Sequence, residues 1–136
     1  MMKSFVINTL KNYRTYLADV TMLECCPNIH SDVTIQDKLI FARSRVEVIQ
    51  SWLLLLSDDE KYIIEKRFFH GWKWKQVYDQ YIIDHHSAED KDDKAQDVPE
   101  RTLANYQNYA LEKITLYVQQ RSDIVKLFFP EHDLTD

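Results

Sequence analysis

Gly71 is the only glycine among 136 residues, and only three prolines accompany it. A chain with so little backbone punctuation cannot turn often. Sandwiches and barrels built of short strands need a turn signal about every 8 to 12 residues, whereas helices run on without one. The chain is therefore expected to be all-α. Its apolar content of 45% is enough to bury a core in a domain of this length, which argues against disorder throughout.

Apolar periodicity divides the chain. Val6, Leu10, Tyr13, Leu17 and Val20 recur at helical spacing, and so do Leu39, Ala42, Val46, Ile49, Leu53 and Leu56. Stripes that step by three and four suit two helices packed at a shallow angle. The connector CCPNIHSDVT joins them, with Pro27 ending the first and Thr34 and Asp37 placed to cap the second. Residues 1–56 thus read as an antiparallel helical hairpin. The same seam also suits a homodimer through the N-terminal helices, although it is under three heptads long.

A second unit spans residues 57–121. Ser57 and Glu60 have capping-box spacing, Ile63, Ile64, the Arg67 stem and Phe68 follow as buried positions, and Gly71 offers the left-handed residue that ends a helix most cheaply. Trp74, Val77, Tyr78, Tyr81 and Ile82 then share one helical face. Beyond an acidic loop at residues 84–98, Asp97 and Glu100 repeat the capping-box spacing, and Leu103, Tyr106, Ala110, Ile114 and Tyr117 stripe a last long helix over residues 100–120. Residues 122–136 form a C-terminal tail, expected to dock one turn and end in frayed acidic residues.

The formal charge of −5 would ordinarily argue against nucleic acid, because phosphate contacts need Lys and Arg. Its location changes the argument. Residues 84–100 hold seven acids against two lysines, which accounts for the whole net charge. In residues 61–83 and 101–121, eight basic residues face three acidic ones. That is a modest basic footprint for DNA.

The order of a helix opening L-S-x-x-E (Leu56, Ser57, Glu60), then Arg67, Gly71, Trp74 and Val77, then R-T-L (Arg101, Thr102, Leu103) heading a helix that carries A-L-x-K-I (Ala110, Leu111, Lys113, Ile114) resembles the minus-35-reading region 4 of sigma factors. It resembles more closely the small phage transcriptional regulators of the RinA and ArpU type. The resemblance covers residues 55–116 and implies a helix-turn-helix with a long acidic insertion in its turn. Two departures accompany it. Fifteen residues separate Ile83 from Pro99 where the family uses three or four, and Ala104, Asn105 and Tyr106 stand in the first reading turn where the family tends to carry a basic residue. Lengthening a surface loop costs only about 0.6 kcal/mol per doubling, so the fold tolerates the insertion more easily than phosphate affinity does.

Reading bases in the major groove requires a helix whose outer face carries amides, hydroxyls and planar cations, since base edges present paired donors and acceptors. With the apolar stripe of the last helix turned inward, Arg101, Thr102, Asn105, Asn108, Tyr109, Glu112 and Lys113 face outward. Asn105 and Asn108 suit adenine, Arg101 suits guanine, and Lys73, Lys75, Tyr109 and Lys113 suit phosphates. The same residues also serve as plain polar surface on an amphipathic helix.

Other constellations are weaker. Cys25 and Cys26 are adjacent, with Cα atoms about 3.8 Å apart, too close for an ordinary disulfide. With His30 they lack a fourth metal ligand, and Asp84, His85 and His86 lack any metal-site spacing, so no metal or cofactor is expected. Phe68, Phe69, Trp72 and Trp74 have the spacing of core aromatics rather than a base-stacking platform. No activated nucleophile, phosphate loop or carboxylate pair points to an enzyme. With no apolar run of roughly 18 residues and no leader-like pattern at residues 1–16, the chain is expected to be cytoplasmic. The expected function is a phage or mobile-element transcription regulator that binds double-stranded DNA through helix 100–120. The alternative is a sigma-like protein-binding module that contacts RNA polymerase or a host regulator without DNA.

Overall fold

The computed structural model describes residues 2–85 and 100–131. Among these residues the protein is all-α: α1 (Met2–Lys11), α2 (Tyr13–Glu24), α3 (Val33–Leu53), α4 (Asp58–Ile64), a π-helical turn (Glu65–Phe69), α5 (Trp74–His85), α6 (Glu100–Gln120) and α7 (Ser122–Phe128). No helix among the described residues is long and apolar enough to cross a membrane. The capping box expected at Asp97, most of the acidic loop at 84–98, and residues 132–136 lie outside the described residues.

The first apolar stripe is not carried by one straight helix. Asn12 sits at φ −91° and ψ 4°, and its N–H is shared between the Asn8 and Thr9 carbonyls at 3.1 and 3.2 Å. Asn tolerates this bridge conformation, so the helix bends there without losing its hydrogen bonds. The bend splits the stripe. Helix α1 packs on α6 and the π-turn and buries Phe5, Val6 and Leu10, while α2 lies along α3 with Tyr16 as its buried residue. Leu17, expected in the seam, is left 38% exposed.

Helices α2 and α3 run antiparallel. Glu24 at the end of α2 pairs with Arg43 at 3.2 Å, and Tyr13 at its start accepts from Gln50 near the end of α3 at 3.2 Å. The cap of α3 is Asp32, whose carboxylate accepts from the Thr34 and Ile35 N–H groups. Thr34, expected to cap, is instead in the first turn. A carboxylate reaching the second and third helical N–H groups satisfies two orphan donors at once.

The Ser57–Glu60 capping box forms with both of its bonds, at 2.8 and 3.3 Å. The helix it starts then widens into the π-turn, closed by His70 N–H to the Glu65 carbonyl at 3.0 Å. The inserted residue lets neighbouring aromatics both find partners: Phe68 enters the core and Phe69 stacks on Tyr13 at 4.2 Å. Gly71 follows at φ +70°, and the Trp72 N–H returns to the Lys66 carbonyl. A left-handed residue reverses the chain here, which only glycine does without strain.

Among the described residues two clusters make the core. The larger gathers Phe5, Trp52 and Phe129 as a set of aromatic contacts, at centroid separations of 6.4, 5.6 and 6.5 Å, with Ile49, Leu111, Ile114 and Val118. It crosses the boundary expected between residues 56 and 57. Residues 122–131 also belong to it: α7 buries Val125, and Arg45 holds the tail through the Phe128 carbonyl at 2.8 Å and the Glu131 carboxylate. The smaller cluster joins Ile63 of α4, Val77 and Tyr81 of α5, and Leu103 of α6. Helix α6 runs through both, so its inner face is fixed along its length.

Candidate nucleic-acid interface

The side of α6 opposite Leu103, Ala110, Leu111, Ile114 and Val118 is the surface available to a ligand. Arg101, Asn105, Asn108, Tyr109 and Glu112 are exposed on it, and Thr102 is half-buried. Among the described residues, the Arg101, Asn105 and Asn108 side chains make no hydrogen bond. A ridge of this kind offers one planar cation, two amides and a phenol, the donor and acceptor types that duplex grooves recognise.

Lys113 stands apart from that set. Its Nζ donates to Glu60 Oε1 at 2.6 Å, with the lysine side chain 48% exposed and the glutamate only 5%. Burial raises the Glu60 carboxyl, but the Lys113 bond and the Ser57 N–H and hydroxyl outweigh it and hold its pKa below the usual carboxylate range. The same oxygen closes the capping box of α4. Lys113 therefore ties α6 to the start of α4, and Glu112 beside it leaves this end of the ridge without a free cation.

Lys73 and Lys75 are exposed at the start of α5. The Lys73 N–H is held by the Gln76 side-chain oxygen at 3.0 Å, the returning half of a capping box. Lys73 shares a pocket with Gln107 of α6, which brings the head of α5 beside the middle of α6. Helix α5 is clipped to α4 by the Tyr62 hydroxyl on Asp84 at 2.9 Å and the Tyr81 hydroxyl on Asp59 at 3.1 Å. Burial first, and then these carboxylates, push both phenols well above the usual tyrosine range.

Arg67 carries more of the arrangement than its sequence position suggested. Its Nε donates to Gln107 at 3.3 Å, its Nη1 to the Trp72 carbonyl at 2.9 Å, and its guanidinium lies 4.4 Å from the Trp74 ring centre. Burial lowers its pKa without discharging it near neutral pH. Trp72 is covered by Lys66 at 4.8 Å. Trp72 and Trp74 are thus engaged by cations of their own chain and half-buried, not stacked together as an open platform. Sequence periodicity missed Gln107, which meets Arg67 only in three dimensions, and Lys11, which borders the same pocket.

At the other end of the molecule, Cys25 is exposed and the half-buried Cys26 thiol donates to the Met22 carbonyl at 3.7 Å. His30 lines a shallow pocket with Glu24 and Arg43. Among the described residues no three His, Cys, Asp or Glu side chains converge as metal ligands. Comparison with protein-family models, with curated proteins and with solved structures returns no match for this chain.

Proposed function

We propose that this protein is a DNA-binding transcriptional regulator of the phage or mobile-element type, with α4, α5 and α6 acting as a sigma-like helix-turn-helix and α6 lying in the major groove. One observation carries the reading: the exposed ridge of Arg101, Asn105, Asn108 and Tyr109 on a helix whose opposite face is locked into two cores. A reading helix must present base-seeking groups and resist rotation. In this account Arg101, Asn105 and Asn108 contact bases, Thr102 and Tyr109 contact the sugar-phosphate edge, and Lys73 and Lys75 hold backbone. Lys113 is reassigned to supporting α6. Because α2 and α3 use their seam on each other, the N-terminal helices act as the scaffold for α6, and no homodimer is required.

The second reading, a protein-binding module that contacts RNA polymerase, is favoured by a different observation. Tyr109 and Leu116 are 54% and 57% exposed and border one shallow pocket with Glu112. Exposed apolar groups beside a carboxylate suit a protein better than a phosphate backbone. Fluorescence anisotropy with a labelled random duplex separates the two. The DNA reading expects weak binding that falls linearly in log–log form as salt rises. Absence of binding at the lowest salt, with polymerase retained on the immobilised protein, would select the module.

A further inference from the structure

A pocket of about 530 Å³ opens where the end of α1, the π-turn, the Gly71 loop and α6 meet, lined among others by Lys11, Arg67, Gly71, Trp72, Lys73 and Gln107. Among the described residues, none of its lining side chains is a carboxylate. Arg67 is half-buried, and its hydrogen-bond partners are the neutral oxygens of Gln107 and Trp72. The contrast with Arg43 and Arg45, which pair with Glu24 and Glu131, is informative. Among the described residues Arg67 has no such counter-ion. A partly desolvated guanidinium without an anion is costly, and two lysines bordering the same opening add charge of the same sign. The Gln107 and Trp72 oxygens and the Trp74 ring hold the guanidinium in place, but they leave its charge unneutralised beside the exposed Lys11 and Lys73.

We propose that this pocket is an oxyanion site that takes a phosphoryl group. Three cations around one opening match a tetrahedral group with several charged oxygens, and a guanidinium with unused N–H groups binds such oxygens in pairs. A single carboxylate would answer only one of them. Gly71 lies in the wall, where an added side chain would meet nothing within 4 Å but would be strained by the left-handed backbone. The source of the phosphoryl group rests on the DNA reading: Gln107 lies on the helix proposed to enter the groove, so a backbone phosphodiester beside α6 would reach Lys11, Arg67 and Lys73. Helix α1 would then be part of the reader rather than only its support.

The test uses the full chain and inorganic phosphate, titrated at constant ionic strength and followed by amide and indole NMR signals. The lone glycine gives one well-isolated reporter in the pocket wall. Saturable shifts at Gly71 and the Trp72 indole are expected, absent with chloride, weaker with acetate, and weakened about tenfold or more in the exposed double variant K11Q/K73Q. No saturable shift, equal shifts with acetate, or an unaffected double variant would overturn the pocket. With duplex DNA, the double variant should lower the log–log salt slope by about two, of which the Lys73 backbone contact accounts for about one. Phosphate binding without any DNA binding leaves a site for a small phosphate and retires the DNA reading. DNA binding without phosphate shifts retires the pocket alone, and an unchanged slope then also removes Lys73 from the backbone contacts.

Discussion

The pair between Lys113 and Glu60 joins residues 53 apart in sequence, and its energy follows from its surroundings. A fully buried pair broken on one side costs about 3 to 5 kcal/mol, whereas an exposed pair contributes about 0 to 1. Here the carboxylate is 5% exposed and the ammonium 48%, so solvent screens one partner only. The expected coupling is about 1 to 2 kcal/mol near neutral pH. It is measured by a double-mutant cycle of Lys113→Met and Glu60→Gln in urea unfolding, with Gln retaining the oxygen that accepts from the Ser57 N–H. The pH dependence has a definite sign. Glu60 titrates lower in the folded state than the roughly 4.3 of an unfolded chain, so its contribution is complete above that value and is lost as acid protonates the folded carboxylate. A coupling near zero at neutral pH, or one that persists in acid, would show that the pair does not join α6 to α4 and would return Lys113 to the phosphate-binding set.

Trp52→Ala should cost about 3 to 5 kcal/mol in denaturant unfolding, because Trp52 is 0% exposed at the centre of the larger core. Trp74→Ala should cost less, since Trp74 is only half-buried, and equal losses would contradict this division of the core. Replacing residues 86–97 by a short turn removes five acids and two lysines while keeping Asp84 for Tyr62. DNA affinity should rise in dilute buffer and converge with the parent as salt shortens the Debye length below about 10 Å; a loss of affinity at low salt would show that these residues assist binding.

Local chemistry was legible wherever a residue acts on its own neighbourhood. Gly71 as the left-handed stop, the Ser57–Glu60 box and the inward stripe of Leu103, Ala110 and Ile114 all follow from rules spanning one or two turns. What escaped depends on distant partners. Trp52 lies only three residues beyond Ile49, yet the stripe read from the sequence stepped to Leu53, because burial there is decided by Phe5 and Phe129 from the two ends of the chain. The bend at Asn12 could not be seen because a stripe records spacing and not the direction in which each half faces. Lys113 looked free for the same reason. A periodic pattern assigns a side chain to the surface but says nothing of a carboxylate from another helix waiting there. Arg67 appeared only as a stem in the apolar face, while its head meets Gln107, Trp72 and Trp74 across the fold.

Whether α6 reads duplex DNA, as proposed, is decided by selection of binding sites from a random duplex pool at low ionic strength. Enrichment of a discrete motif is expected, with Asn105→Ala and Asn108→Ala each relaxing preference at an adenine by about 1 to 3 kcal/mol while leaving the salt slope unchanged. A pool that stays random through successive rounds, with the folded protein present throughout, would contradict it.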